Sequence, residues 1–365
     1  MSLVVDVRHR LGAFGLAASF ESSGPLTALF GPSGSGKSSL VNIIGGLIRP
    51  DEGRVTTEGR VLVDTARRVF LPAHKRRVGY VFQDARLFPH LTVSQNLRYG
   101  RYFTPVAERY ADIDRVVDLL GIRNLLDRRP SLLSGGEKQR VAIGRALVAS
   151  PKLLLMDEPL ASLDEARKLE IFPYLERLRD ELNVPIVYVS HSVAEVARLA
   201  TDVVVLSAGR VEAHGPMRDI LGRLDLLPEE ERGEGGAVID AVVAGHDVET
   251  GLSTLVSPAG EWRLPLVDVA VGSRLRLRIR ARDVMIASEF PKSISALNIM
   301  PGIVRAVSRS GPDALVTIGC NGDVILSRIT TYSVAALQLV PGREVFVVVK
   351  AATFDKSNVP RPATG

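Results

Sequence analysis

The chain has one cysteine, Cys320, among 365 residues. A single thiol closes no intrachain disulfide and builds no cysteine-based metal cluster, so the fold must rest on its core. Aromatic residues are scarce, at 5%, and none interleave with a basic patch, which argues against a base-stacking nucleic-acid surface. No stretch approaches the ~18–20 uncharged apolar residues of a membrane helix. The opening Met1-Ser2-Leu3-Val4-Val5-Asp6-Val7-Arg8 lacks the long apolar run and cleavage site of a signal peptide, so a cytoplasmic location is expected. Neither sign of charge dominates: 46 Lys and Arg face 41 Asp and Glu, an excess of +5. Residues 229–365 carry 15 of each sign, so the whole excess falls in residues 1–228. A mild surplus confined there suits a phosphate ligand better than a nucleic acid.

What is present is an ordinary globular composition, 46% hydrophobic and 24% charged. At roughly 100–200 residues per domain, the length predicts two domains. Short apolar runs at 27–30, 78–81, 153–156, 186–189 and 203–206 read as strands buried on both faces, as in a mainly parallel sheet. Helical spacing falls at 38–48, 106–121, 136–149, 165–182 and 192–200, and the alternation predicts an α/β fold. Pro173 should kink or interrupt the helix over 165–182.

The pattern changes at 229–236, a charged, Gly-containing stretch that reads as a linker between a first domain, 1–228, and a second, 237–365. Beyond it, short period-2 runs dominate. In Leu275-Arg276-Leu277-Arg278-Ile279-Arg280 the apolar residues share one face, and the arginines read as a solvated strand face rather than a nucleic-acid stripe. Gly272-Ser273-Arg274 leads to Arg280-Ala281, and seventy residues on Gly342-Arg343-Glu344 leads to Lys350-Ala351. Two copies of a small β-barrel unit account for this.

Three loops carry the chemistry. Gly31-Pro32-Ser33-Gly34-Ser35-Gly36-Lys37-Ser38 fits the P-loop pattern between a strand and a helix, with Ser39 following. Its glycines let backbone N–H groups curl around phosphate, the helix dipole adds positive potential, and Lys37 neutralises the β- and γ-phosphates. The Ser38 hydroxyl is placed to ligand Mg²⁺. The apolar run 153–156 delivers Asp157 and Glu158 at a strand end, Asp157 for Mg²⁺ and Glu158 to deprotonate an attacking water. Ser134-Gly135-Gly136 opens a helix and is a second anion-binding turn.

Leu133-Ser134-Gly135-Gly136-Glu137-Lys138-Gln139-Arg140, twenty residues before Asp157-Glu158, closely resembles the signature of ATP-binding-cassette ATPases. In that family Gln83 fits the Q-loop (catalytic and metal-binding), Ser162-Leu163-Asp164 the D-loop, with Asp164 at the nucleotide, and His191 the switch histidine; the likeness spans roughly 1–228. It implies an α/β P-loop NTPase (ABC ATPase) domain with a helical subdomain at about 84–150, using ATP and Mg²⁺. It also implies a homodimer in which Ser134 and Gly136 of one copy meet the γ-phosphate held by Lys37 of the other. Phe14 is the aromatic candidate for stacking on adenine, and Leu87 and Phe88 are candidates for a groove that takes a permease helix.

Residues 76–90 and 157–164 resemble the ATP-binding subunits of bacterial molybdate importers. The opening run 294–304 and the closing run 349–352 resemble a molybdate-binding, Mop-type module at about 292–356, within a small all-β, OB-like (TOBE/Mop-type) C-terminal domain. The resemblance implies a candidate oxyanion site at Ser295, Lys350 and Ala351, suited to a small oxyanion by a hydroxyl, an ammonium and backbone N–H groups. Leu297 stands where the module often has arginine, which weakens such a site. Expected partners are a second copy, transmembrane permease subunits and, through them, an extracytoplasmic substrate-binding protein, with no nucleic acid; the expected place is the cytoplasmic face of a bacterial cell membrane. Sulfate, ferric iron, polyamine and sugar importers share these parts. A soluble cassette ATPase is the alternative of another class.

Overall fold

The computed structural model describes residues 2–182, 184–223 and 226–354. The chain divides into two compact units between Ile220 and Leu221.

The first unit is built on one sheet of eleven strands. In chain order these are β1 (Leu3–Leu11), β2 (Phe14–Ser22), β3 (Leu26–Phe30), β4 (Glu52–Thr57), β5 (Arg60–Asp64), β6 (Val69–Phe70), β7 (Val78–Val81), β8 (Leu153–Asp157), β9 (Ile186–Ser190), β10 (Asp202–Ser207) and β11 (Arg210–Pro216). The sheet order is β6-β5-β4-β1-β2-β11-β10-β3-β9-β8-β7. The five runs expected as buried strands are β3, β7, β8, β9 and β10, and they pair in parallel in the order β10-β3-β9-β8-β7. The remaining pairings are antiparallel save one parallel bridge of β11 to β2, and β1 and β2 turn one face inward, as the alternation Leu3, Val5, Val7 in β1 and Leu16, Ala18, Phe20 in β2 requires.

The helices are α1 (Lys37–Gly45), α2 (Ala73–Arg76), α3 (Val93–Tyr102), α4 (Ile113–Leu119), α5 (Gly135–Val148), α6 (Glu165–Glu181), α7 (Val193–Leu199) and α8 (Met217–Leu221). Leu40, Val41, Ile43 and Ile44 of α1 are fully buried and join the two halves of the sheet into one core. The C-terminus of α1 is capped by an arginine from outside the helix. Arg76, 1% exposed, donates to the carbonyls of Ile43, Ile44 and Leu71 at 2.7, 2.8 and 2.6 Å.

Two helical expectations need correction. Residues 106–121 do not form one helix: 106–108 is a 3₁₀ turn and α4 starts only at Ile113. Ser150 Oγ accepts the N–H groups of Tyr110 and Ala111, which therefore have no intrahelical use, and Asp112 then caps α4. Pro173, in contrast, does not interrupt α6. Buried Ile171, Phe172, Leu175 and Leu178 flank it, and the buried Glu176 accepts from Arg198 at 2.7 Å, so packing outweighs the lost backbone hydrogen bond.

In the second unit the strands are β12 (Gly236–Asp247), β13 (Leu252–Ser257), β14 (Gly260–Pro265), β15 (Arg274–Arg280), β16 (Val284–Ala287), β17 (Asn298–Ser310), β18 (Asp313–Cys320), β19 (Asp323–Thr330) and β20 (Glu344–Val349), with one helix, α9 (Thr331–Ala336). They form sheets of order β14-β13-β12-β15 and β16-β20-β17-β18-β19. The repeat is real in three dimensions. β12 and β17 each carry a bulge, at Val243/Gly245 and Val304/Ala306. Each exchanges backbone hydrogen bonds with the Gly turn before its closing strand: Gly272 N–H with Val243 C=O at 2.8 Å, and Gly342 N–H with Val304 C=O at 2.8 Å. Gly272 and Gly342 both adopt positive φ, 88° and 90°, which that turn demands. Buried Trp262, Leu277, Ile318, Cys320 and Val347 lie in a core common to both sheets.

The segment 229–236 is not an extended linker. Residues 229–234 form a 3₁₀ helix and Gly236 starts β12. Glu234 holds Arg278, Arg280 and Arg282 at 2.8, 3.1 and 2.9 Å. The arginine face of β15 is accordingly not all solvated, because Arg278 is only 7% exposed.

Candidate nucleotide site

Four neighbouring parallel strands, β3-β9-β8-β7, end at one edge of the sheet. Strands lie ~4.8 Å apart, so their C-terminal ends bring together the loop 31–36, His191, Asp157-Glu158 and Gln83. Such an edge is where open α/β sheets bind ligands.

The loop's shape is set by glycine. Gly31, Gly34 and Gly36 have φ of 149°, 78° and 101°. A Cβ on Gly31 would lie 2.0 Å from the Leu206 carbonyl oxygen. Gly36 is the N-cap of α1, with no side chain over the helix N-terminus, so the first N–H groups of α1 face the loop. Lys37 Nζ donates to the carbonyls of Gly31 and Pro32, both at 2.8 Å. An ammonium has three N–H bonds, so one remains for a ligand. Burial lowers the pKa of Lys37, while Glu158 and Asp157 pull it back up. A cavity of about 320 Å³ opens here, lined by Leu11, Phe14, Ser33, Gly34, Gly36, Lys37, Ser38, Ser39 and Glu158. Phe14 lies against the loop: a Cβ on Gly36 would come within 3.2 Å of its ring. Ser35, 2% exposed, is behind the loop, and its carbonyl accepts from Gly209 N–H at 3.1 Å.

Ser38 Oγ donates to Asp157 Oδ1 at 3.1 Å, and Tyr80 Oη lies 3.3 Å from Asp157 Oδ2 and 3.0 Å from Asn42 Oδ1. Burial raises the pKa of Asp157, and the hydrogen bond from Ser38 opposes that rise. A hydroxyl and a carboxylate side by side, next to a phosphate loop, are a fitting pair of oxygen ligands for Mg²⁺, which takes few protein ligands and completes its shell with phosphate and water. Glu158 occupies the left-handed region, φ 46°, and a residue with a side chain there is held by its surroundings. His191 Nδ1 is 3.7 Å from Glu158 Oε1.

Residues 19–161 match the family described as ABC transporter, and residues 294–353 match the TOBE domain. The molybdenum import ATP-binding protein ModC of Mesorhizobium japonicum is 64% identical over 98% of this chain and 97% of that protein. Its counterpart in Rhizobium etli is 55% identical over 97% of this chain and the whole of that protein. The chain belongs to this family. Among solved structures, cbiO1 of Clostridium perfringens, part of the transporter complex cbiONQ, superposes with a TM-score of 0.52 at 27% identity, over 61% of this chain and 90% of that one.

Family membership fixes what to ask of the remaining motif residues. Ser134 caps α5 in a reciprocal box with Glu137, Ser134 N–H to Glu137 Oε2 at 2.7 Å and Glu137 N–H to Ser134 Oγ at 3.2 Å. Gly135 and Gly136 begin the helix. Among the described residues no hydrogen bond or ion pair joins 134–136 to the phosphate loop. Asp164 caps α6 by accepting from Arg167 N–H at 2.9 Å. Gln83 is exposed just past β7, and Gln139 of α5 donates to the neighbouring Phe82 carbonyl at 3.3 Å, which ties the signature helix to the Q-loop.

Sequence reasoning missed Tyr80, which reaches Asp157, and Asn42, whose Oδ1 accepts from the Tyr80 hydroxyl. Asn42 sits four residues after Ser38 in α1 and so shares its face, a spacing that points to it. In the second unit Ser295 and Lys350 are exposed beside the last pair of the β17–β20 ladder, Asn298 with Val349. Asn298 itself is buried and fully used, donating to the carbonyls of Arg263 and Val349 at 3.0 and 3.2 Å. Residues 355 and 356, the end of the expected Mop-type module, lie outside the described residues.

Proposed function

We propose that the chain is the ATP-hydrolysing motor of a molybdate importer, acting as a homodimer at the cytoplasmic face of the cell membrane on a separate permease. The observation that carries this reading is the single row of strand ends bearing Lys37, Ser38, Asp157, Glu158 and His191, with the signature residues 134–136 standing apart from it in the same chain. A second copy, head to tail, supplies the missing donors to the γ-phosphate.

Lys37 and the loop N–H groups bind the β- and γ-phosphates of ATP. Ser38, Asp157 and Gln83 hold Mg²⁺, which, when bound, neutralises charge on those phosphates. Glu158 takes a proton from the attacking water, and His191 orients that water and contacts the γ-phosphate. Phe14 offers its ring to adenine. Phe88, packed on Tyr99 with ring centres 4.3 Å apart, lines a groove of about 330 Å³ with Phe82, Arg86 and Arg145. That groove takes a permease helix, and the Phe82–Gln139 contact carries the coupling. In the second domain Ser295, Lys350 and the Ala351 N–H bind the oxyanion.

Complementation tests the composite site. Lys37→Ala and Ser134→Arg variants are each inactive alone. Mixed, they recover about a quarter of wild-type turnover, because half the dimers contain one intact site of two. No recovery on mixing overturns the head-to-tail reading.

A further inference from the structure

The sequence Ser192-Val193-Ala194-Glu195 has the form of a capping box, in which the third helical residue returns its side chain to the cap's N–H. Among the described residues two such boxes are complete, Thr92 with Gln95 and Ser134 with Glu137. In α7 the pattern is broken. Ser192 Oγ does accept from Glu195 N–H, at 3.4 Å, but Ser192 N–H donates to Ser190 Oγ at 3.0 Å instead of to Glu195. Ser190 Oγ in turn donates to Glu195 Oε2 at 2.8 Å. The same oxygen accepts from Tyr188 Oη at 2.9 Å, and Glu195 Oε1 lies 3.2 Å from Lys168 Nζ.

Glu195 is 5% exposed. A carboxylate buried that deeply is costly unless fully partnered, and here two hydroxyls and an ammonium partner it. The three donors come from two elements. Tyr188 and Ser190 lie on β9, and Lys168 lies on α6, one turn past Asp164. Between the two serines that Glu195 fastens, one by its side chain and one by its backbone, stands His191. Its Nδ1 is 3.7 Å from Glu158 Oε1.

We propose that Glu195 is a positioning residue for ATP hydrolysis: it clamps the turn Ser190-His191-Ser192 from both sides so that His191 faces Glu158, and through Lys168 it ties that turn to the helix beginning at Asp164. A helix cap alone does not need the relay through Ser190. The relay gives the turn a fixed geometry, and displacement of a catalytic group by about 1 Å costs on the order of 10²-fold in rate. This rests on the role of His191 given above, which His191→Gln tests separately.

The test measures kcat and KM for ATP on the full-length chain, and the ring NMR signals of His191, assigned by their loss in His191→Gln. Glu195→Gln is expected to lower kcat about 10- to 100-fold with KM for ATP within about twofold, and to shift or broaden the His191 signals. Ser190→Ala, which deletes the relay and leaves Glu195 in place, is expected to do the same to a smaller degree, and Ser190→Thr, which keeps the hydroxyl, to restore both. If Glu195→Gln does not fold, Ser190→Ala and Ser190→Thr decide. The proposal is overturned if kcat stays within about twofold in the variants, or if it falls while the His191 signals do not move. If His191→Gln itself leaves kcat unchanged, the role of His191 fails first, and the clamp has no catalytic consequence.

Discussion

Replacing Glu158 by glutamine removes the proposed proton acceptor and changes little else. The two side chains are the same size. Both carry a Cβ, so the strain of the left-handed backbone at φ 46° is common to both proteins. Glu158 is one of two acids whose charge opposes the lowering of the Lys37 pKa by burial, and Asp157 remains after the change. ATP binding should therefore persist, with Kd within about threefold, while removal of a general base costs ~10²–10⁴-fold in turnover, or about 3–5 kcal/mol of barrier. Equilibrium titration with a fluorescent ATP analogue gives the first quantity, and single-turnover phosphate release gives the second. Turnover within about tenfold of wild type refutes the assignment of Glu158 as base. A large loss of affinity with unchanged single-turnover rate shows instead that the carboxylate serves binding.

Arg76→Met deletes three hydrogen bonds to the buried carbonyls of Leu71, Ile43 and Ile44, each worth ~1.5–3 kcal/mol with a charged donor. Burial pushes the pKa of Arg76 down to about 10, a desolvation cost of ~3 kcal/mol that methionine avoids. The net loss should be ~1.5–6 kcal/mol by urea unfolding, and a loss below about 1 kcal/mol removes Arg76 as the cap of α1. Gly31→Ala sets a Cβ 2.0 Å from a backbone oxygen that cannot turn away. It should lower the melting temperature and abolish ATP-analogue binding, and retention of both refutes the described loop conformation. Burial pushes the Cys320 thiol up to about 11, so at pH 8 its thiolate fraction is ~10⁻³. Iodoacetamide should label it only in denaturant, and rapid labelling of the folded chain contradicts the core of the second unit.

The parts of the site that succeed strands were legible because buried parallel strands write themselves as apolar runs, and three runs here lead into candidate site residues: Gly31 after 27–30, Asp157 after 153–156, His191 soon after 186–189. The strand order that sets them side by side is tertiary and is not written in any one run. Tyr80 and Glu195 were not legible as site residues for the same reason, and Asn42 was signalled only by its spacing from Ser38. Each looks like an ordinary residue of its own element, and each acquires meaning from a partner on another: Asp157 for Tyr80, Tyr80 for Asn42 and Ser190 for Glu195. Local signals also misled where tertiary contacts compete with them. Ser150 takes the N–H groups that a helix through 106–121 would use, packing carries α6 through Pro173, and Arg278, Arg280 and Arg282 hold Glu234 of the charged segment that composition marks as a linker. The repeat at 272 and 342 was legible because the turn glycine and the alternating strand recur together.

ATP hydrolysis by this chain powers molybdate import. The most direct test is the ATPase rate of the chain assembled with its permease in liposomes, with the substrate-binding protein presented on the opposite side and each oxyanion supplied in turn. Molybdate should raise the rate severalfold above the level without oxyanion, and sulfate should leave it unchanged. Stimulation by sulfate with none by molybdate contradicts the account.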